Sequence, residues 1–270
     1  LDYVEVVTYQ SLKDKTRLKD YGLAIYDECH HVAAKNLYQV AMNCPNAILV
    51  GLSATPKRED GEDMKIEAAL GKIIYSITRK ELIEMGYLSD AIVYYHLIAA
   101  SDYDFWENYH EAYSTYIVNN ENRNNRIVDI AQQEFDRGKK VLVLCSQIDH
   151  INNLMKLLKR PHMMINGRLG EKKRKEIVND INNTKVGFIV LASTVFDEGV
   201  DFPNLDVIIL AAGGKSSIKL TQRVGRILRI QEGKGIAIIH DFIDDCHWLE
   251  EHYQRRRTIL EEDFNVVDLQ

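Results

Sequence analysis

Leu23-Ala24-Ile25-Tyr26-Asp27-Glu28-Cys29-His30 decides how the rest of the chain reads. A short apolar run stops abruptly at two carboxylates. Such a run reads as a strand buried on both faces of a parallel sheet. In open α/β sheets, ligands lie just beyond the carboxyl ends of the strands. Asp27 and Glu28 therefore stand where a phosphate ligand and its metal would lie. Asp27 offers the hard oxygen ligand that Mg²⁺ prefers. Glu28 can orient or deprotonate a water for attack on a γ-phosphoryl group. The competing reading is a strand end with two solvated acids.

Outward from this stretch, strands and helices alternate. Towards the N-terminus, residues 4–8 read as a strand, because Val4, Val6 and Val7 are β-branched. Thr8-Tyr9-Gln10-Ser11 reads as a polar turn with Ser11 as an N-cap. Towards the C-terminus, 32–42 reads as a helix and 47–52 as the next buried strand. Ser53-Ala54-Thr55-Pro56 closes that strand on the same ligand side, and Pro56 stops it. Lys57 to Gly61 is a charged surface loop when taken alone. Residues 73–77 read as a strand, 79–85 as a short helix ended by Gly86, and 91–99 as a long apolar strand. The domain change is placed near 87–90, which gives domains of 1–88 and 89–270. A helical lead-in covers 104–138, with a break in the Asn-rich run 120–126. Strands then follow at 141–145, 162–165, 187–192, 207–211 and 235–240. Helices follow at 149–159, 171–181 and 246–262, and the chain closes on a short apolar tail at Val266 and Val267. This alternation means right-handed βαβ units and parallel sheets, an α/β fold.

Gln222-Arg223-Val224-Gly225-Arg226-Ile227-Leu228-Arg229 has a helical logic of its own. Ser216 or Ser217 can cap a helix. Leu220, Val224, Ile227 and Leu228 then form a buried stripe. Gln222, Arg226 and Arg229 fall on the opposite side, and guanidiniums there can stabilise charge in phosphoryl transfer. Arg174 lies in a second basic run, Lys172-Lys173-Arg174-Lys175, which reads as a solvated face or as a contact for a nucleic-acid backbone.

The composition sets outer limits. The 270 residues suit one large or two modest domains, and 46% are apolar, enough to bury real cores. A formal net charge of −6 argues against coating DNA by bulk charge alone. Cys29, Cys44, Cys145 and Cys246 are scattered, with no CxxC and no Cys/His cluster. They read as reduced thiols of a cytoplasmic protein. No apolar run approaches a membrane span, and no stretch reads as a signal peptide.

Three stretches together resemble the superfamily 2 helicases and translocases. Asp27-Glu28-Cys29-His30 matches their motif II, Ser53-Ala54-Thr55 their motif III, and Gln222 to Arg229 their motif VI, in the family's order. Ser193 to Pro203 resembles motif V, and Thr8 to Ser11 resembles motif Ib. Arg58-Glu59-Asp60 resembles the Arg-Glu-Asp element of XPB-type DNA repair helicases, and Asn122 to Arg126 resembles a segment of XPB-like and phage-type helicases. The resemblance implies two RecA-like domains, the first incomplete at its N-terminus, with ATP and Mg²⁺ in the cleft between them. It implies a metal held by Asp27 and Glu28, and catalytic roles for Glu28, Gln222, Arg226 and Arg229. Gly199 and Asp201 are implied to contact the nucleotide. His30, Ser53, Thr55, Arg58, Glu59 and Asp60 are implied to couple the nucleotide site to the strand track. Thr8, Gln10, Ser146, Thr194 and Arg174 are implied to meet nucleic acid.

A phosphate cradle of the form GxxxxGK followed by Ser or Thr does not occur in the 270 residues. Gly213-Gly214-Lys215-Ser216 lacks the first glycine and lies ahead of motif VI, where the family has no such loop. The expectation is a fragment cut downstream of motif I, inactive alone, from a parent that hydrolyses ATP while moving on single-stranded or junction DNA. Two alternatives stay open: an RNA-dependent DExH ATPase, and a non-catalytic remnant that binds nucleic acid or a protein.

Overall fold

A strand and the helix that follows it set the pattern from the start of the chain. The computed structural model describes residues 4–8, 11, 19–55, 61–99, 108–184, 186–193, 205–214, 216–230 and 235–269. They form two units, Leu1–Ser76 and Ile77–Gln270. In the first unit β1 (Leu23–Tyr26) leads through a 3₁₀ turn, Cys29–Ala33, to α1 (Lys35–Met42), β2 (Ile48–Gly51) and α2 (Asp63–Leu70). The single helix expected over 32–42 is broken at Ala34, whose backbone is extended. The break lets Val32 and Ala33 bury on one side of it and Val40 and Ala41 on the other. β1 and β2 pair in parallel, Leu23 opposite Ile48 and Tyr26 opposite Gly51. At Gly51 a Cβ would lie 2.7 Å from Leu70 Cδ1 and 3.0 Å from Cys29 Sγ. A side chain there would push Leu70 and Cys29 aside, so glycine lets β2 pack closely on the small core of Cys29, Val32, Ala33, Ala41, Ile66 and Ala69.

The second unit opens with α3 (Arg79–Glu84), held by a capping box between Thr78 and Glu81. Next come β3 (Ala91–Ile98), α4 (Tyr109–Tyr113), a π-helical turn at Ser114–Val118, and α5 (Glu121–Asp136). The break expected in the Asn-rich run falls at its start. Asn120 caps α5 through its Oδ1, and residues 122–126 are helical. The chain continues through β4 (Lys140–Leu144), α6 (Ile148–Leu157), β5 (His162–Ile165), α7 (Glu171–Asn183) and β6 (Phe188–Ala192). It ends with β7 (Val207–Ile209), α8 (Ser217–Ile227), β8 (Ala237–Asp244), α9 (His247–Glu261) and β9 (Asn265–Leu269). Seven strands form one sheet in the order β5-β6-β4-β7-β8-β3-β9. Every pairing in it is parallel, so all carboxyl ends lie along one edge of the sheet. Val141 to Leu144 and all five residues of β6 are buried, as strands covered on both faces require.

Three sequence expectations change. Residues 4–8 and 73–77 carry strand-like residues but join no ladder among the described residues, and Val6 and Ile74 are 93% and 95% exposed. The apolar tail at Val266 and Val267 is β9, an edge strand that pairs with β3. The boundary expected at 88/89 comes later than the division of the units. Ile83 and Leu88 pack on the core of the second unit, and Arg79 pairs with Asp263 there. No helix among the described residues is long and apolar enough to cross a membrane. None of the four cysteines is in a disulfide.

Candidate functional site

In the first unit the candidate residues gather at the carboxyl ends of β1 and β2. The chain leaves β1 at Asp27 and turns sharply at Glu28, whose φ of 49° and ψ of 51° are left-handed. Glu28 is the only non-glycine residue with positive φ among the described residues. An L-residue there costs about 1–2 kcal/mol, so the surroundings must hold it. They do so on both sides. Asp27 Oδ1 accepts the Glu28 amide at 3.0 Å, and the Cys29 amide donates to Leu52 O at 2.8 Å. The turn seats His30 in the interior, 2% exposed, with Nδ1 3.1 Å from Ser53 Oγ and 3.3 Å from Glu28 Oε2. The ring nitrogen is hydrogen-bonded to the Ser53 hydroxyl, and it forms an ion pair with the Glu28 carboxylate when the ring is protonated. Ser53 Oγ also accepts the Thr55 amide at 3.1 Å. A continuous polar path thus runs from Glu28 through His30 and Ser53 to Thr55. Asp27 keeps an exposed carboxylate at the strand end.

Among the described residues no cluster of three or more His, Cys, Asp or Glu side chains is arranged to hold a metal. A Mg²⁺ site needs less: one or two carboxylates, with waters and phosphate oxygens completing the octahedron. The exposed oxygen donor of Asp27, beside Glu28, fits that requirement.

In the second unit α8 behaves as its sequence pattern implies. Leu220, Val224, Ile227 and Leu228 are all buried, and Gln222 and Arg223 are half-buried on other faces. Arg226 is on the helix, and its side chain lies outside the described residues. Arg229 departs from the expectation of a helical i, i+4, i+7 row. α8 ends at Ile227, the Ser89 amide binds Leu228 O at 2.8 Å, and Arg229 forms an antiparallel bridge with Leu88. The buried Leu228 and its bond to Ser89 turn the chain into a short ladder, so Arg229 is exposed from an extended backbone.

The nucleic-acid candidates are spread over both units. Thr8 is exposed in the first, its carbonyl taking the amide of Ser11 at 2.9 Å and its hydroxyl at 2.7 Å. Ser11 thus closes a turn and caps no described helix. Ser146 is exposed just beyond β4, and Arg174 is half-buried on α7. Gln10, Arg58, Glu59, Asp60, Thr194, Gly199 and Asp201 lie outside the described residues. What the sequence reading missed is the left-handed Glu28 and the side chains that hold the approach to α8. The first leaves no sequence signal, since a glycine or asparagine is the usual mark of that backbone region.

Residues 122–231 match the family model described as "Helicase conserved C-terminal domain". Residues 2–58 match the model for "Type III restriction enzyme, res subunit". A protein carrying a helicase name from Sulfolobus islandicus filamentous virus (isolate Iceland/Hveragerdi) is 29% identical over 94% of the chain, which spans 48% of that protein. The DNA 3'-5' translocase XPB2 of Sulfurisphaera tokodaii is 25% identical over 87% of the chain, which spans 62% of it. Among solved structures, a fragment assigned to the HsdR subunit of a type I restriction enzyme from Vibrio vulnificus YJ016 superposes with a TM-score of 0.68. It is 22% identical, and the match covers 96% of this chain and 51% of that one, a likeness of fold. The chain therefore spans about half to three fifths of the two curated relatives' lengths.

Proposed function

We propose that this chain, a member of superfamily 2 of the helicases with XPB-type enzymes among its relatives, takes part in ATP-driven movement on DNA. The observation that carries the proposal is the strained Glu28 turn, tied through His30 to Ser53 at the carboxyl ends of two adjacent parallel strands. A left-handed backbone held by the Asp27 carboxylate and the Cys29–Leu52 bond, with a buried histidine beside its side chain, supports reading Glu28 as a carboxylate whose position matters. Glu28 then orients the attacking water and takes its proton, within the range of a positioned general base. Asp27 would hold Mg²⁺, which supplies charge neutralisation on the phosphates when bound. Gln222 and the guanidiniums of Arg226 and Arg229 stabilise charge on the departing γ-phosphoryl group. The His30–Ser53–Thr55 hydrogen bonds support a coupling role, because His30 lies beside Glu28 and is bonded on to the loop after β2.

The test uses the natural full-length polypeptide and its nucleic-acid-stimulated ATPase. Glu28→Gln keeps shape and removes the base, so kcat is expected to fall on the order of 10²- to 10⁴-fold. Binding of a labelled single strand without nucleotide is expected to stay unchanged. Stimulation by DNA above RNA supports the DNA reading, and the reverse order supports an RNA-dependent ATPase. A polypeptide of residues 1–270 alone has no phosphate cradle in its sequence and is expected to hydrolyse ATP at background rate. Turnover on the order of 1 per second or faster from that polypeptide, an ordinary enzymatic rate, refutes this part.

A further inference from the structure

Between Ile209 at the end of β7 and Ser217 at the start of α8, the backbone passes through Ala211, Ala212, Gly213 and Gly214. Three carbonyl oxygens of this crossing are each captured by a side chain from a different helix. Arg123 on α5 donates from Nη1 to Ala211 O at 2.8 Å. Tyr113 on α4 donates from its hydroxyl to Ala212 O at 2.6 Å. Arg256 on α9 donates from Nη1 to Gly214 O at 3.0 Å. All three donors are buried, and Arg123 is fully so. Gly213 sits between them with φ of +60°, and a Cβ there would lie 3.2 Å from Ile117 Cδ1. The crossing therefore favours glycine for its conformation, and a side chain there would also crowd Ile117.

Both arginines are themselves fixed by β8. Arg123 Nε bonds Asp244 Oδ1 at 2.7 Å, with the guanidinium over the Phe242 ring at 4.7 Å. Arg256 grips Asp241 with Nε at 2.7 Å and Nη2 at 3.0 Å. Buried ion pairs are a poor source of net stability, since desolvation offsets most of their attraction. What two of them supply here is direction: planar forks hold two points of one crossing at fixed angles to β8. Burial pushes the Tyr113 phenol up to about 12, so it stays protonated and donates to Ala212 O.

We propose that Tyr113, Arg123 and Arg256 are positioning residues that set the entry of α8, and hence where the helix presents Gln222 and Arg226. This rests on the reading of α8 as the carrier of groups that act on the transferred phosphoryl. A helix displaced at its first turn displaces every residue on it, and a shift on the order of 1 Å in a reacting constellation costs about 10²-fold in rate.

The experiment measures nucleic-acid-stimulated ATPase of the natural full-length polypeptide across ATP and DNA titrations, with thermal melts alongside. Tyr113→Phe keeps the ring and deletes one hydrogen bond. Arg256→Lys keeps a charge beside Asp241 and loses the fork that reaches Gly214. Each is expected to lower kcat on the order of tenfold, with KM for ATP and the Kd for DNA within about twofold. The second variant keeps the test open should the first fold poorly. Normal kcat in both, with only a lowered Tm, overturns the proposal, because ordinary packing would do that. Arg226→Ala and Arg229→Ala serve as controls. If they lose kcat while the two positioning variants keep it, only the positioning proposal falls. If they also keep normal kcat, the reading of α8 falls and takes the positioning proposal with it.

Discussion

β1 and β4 are spelled alike and live differently. Each is a short apolar strand whose carboxyl end carries a candidate site residue, Asp27 after the first and Ser146 after the second. Yet Leu23 and Ile25 of β1 are 53% and 60% exposed, while Val141 and Leu142 of β4 are fully buried. The difference is in neighbours. Among the described residues β1 pairs with β2 alone, whereas β4 lies between β6 and β7. A run of apolar residues thus reports what a strand is able to bury, and the surrounding strands decide whether it does. The second unit draws its stability from a seven-stranded sheet; the first depends on the small core under Gly51.

The largest expected effect lies in the second unit. Arg256→Ala leaves Asp241 buried and unpaired, and is expected to cost about 3–5 kcal/mol. The contrasting pair in the first unit is Lys65 with Glu62, both side chains about half exposed. Lys65→Ala is expected to change stability by less than about 1 kcal/mol. Denaturant melts at constant m report both. Equal costs would mean that burial does not separate the two units as described.

The strands themselves give the next test. Leu142→Ala removes a fully buried side chain and is expected to cost about 2–5 kcal/mol. Leu23→Ala removes one that is half in solvent, and less than about 1 kcal/mol is expected. A Leu23→Ala cost as large as that of Leu142→Ala would show that the open face of β1 is covered in solution.

Acid should act on the second unit through a buried histidine pair. Arg126 donates to His96 Nδ1 at 3.2 Å, which leaves the proton of His96 on Nε2 to meet His240 Nδ1 at 2.8 Å. Burial, followed by the Arg126 charge, lowers His96 to about 4; burial, then His96 and Arg126, lowers His240 to about 3. Both are neutral when folded and bind protons more readily when unfolded. The unfolded state thus holds more protons between the ordinary histidine value and those lowered values. Stability is complete above about pH 6.5 and falls as pH drops towards 4, by a few kcal/mol in all. Melts of the protein and of His96→Asn across that range check this. A flat wild-type profile, or an unchanged slope in the variant, removes the pair as the cause.

The placement of Asp27, Glu28 and Ser53 just beyond two strands was legible because each apolar run stops at polar residues. The α8 stripe was legible because its burial follows the helical period. Other features depend on partners that local sequence does not name. Val4 to Thr8 and Ile73 to Ile77 have strand-forming side chains, but a strand exists only where a ladder is offered. β9 was hidden for the converse reason: two valines suffice once β3 presents an open edge. Arg229 left its helical row because Leu228 is anchored by Ser89, 139 positions earlier by residue number. Tyr113 and Arg123 meet their carbonyls across 99 and 88 positions, a distance no motif spacing encodes.

The smallest expected effect concerns charge at the surface of the second unit. Of the basic run on α7, Lys173 is paired with Glu176 at 3.1 Å, and Arg174 is half-buried, with its Nε out of solvent. A guanidinium lying along its own protein surface can reach at most one phosphate. Arg174→Ala should therefore lower the slope of log K against log salt by at most about one unit, uniformly across DNA sequences. Saturating DNA removes the effect of weakened binding, so kcat there should remain that of wild type. Anisotropy of a labelled strand at several salt concentrations, paired with ATPase across a DNA titration, gives both numbers. A loss of kcat at saturating DNA with the salt slope unchanged would move Arg174 from the nucleic-acid surface to the chemistry. It would also count against the proposed division in which α8 carries the catalytic charge and α7 meets the nucleic-acid backbone.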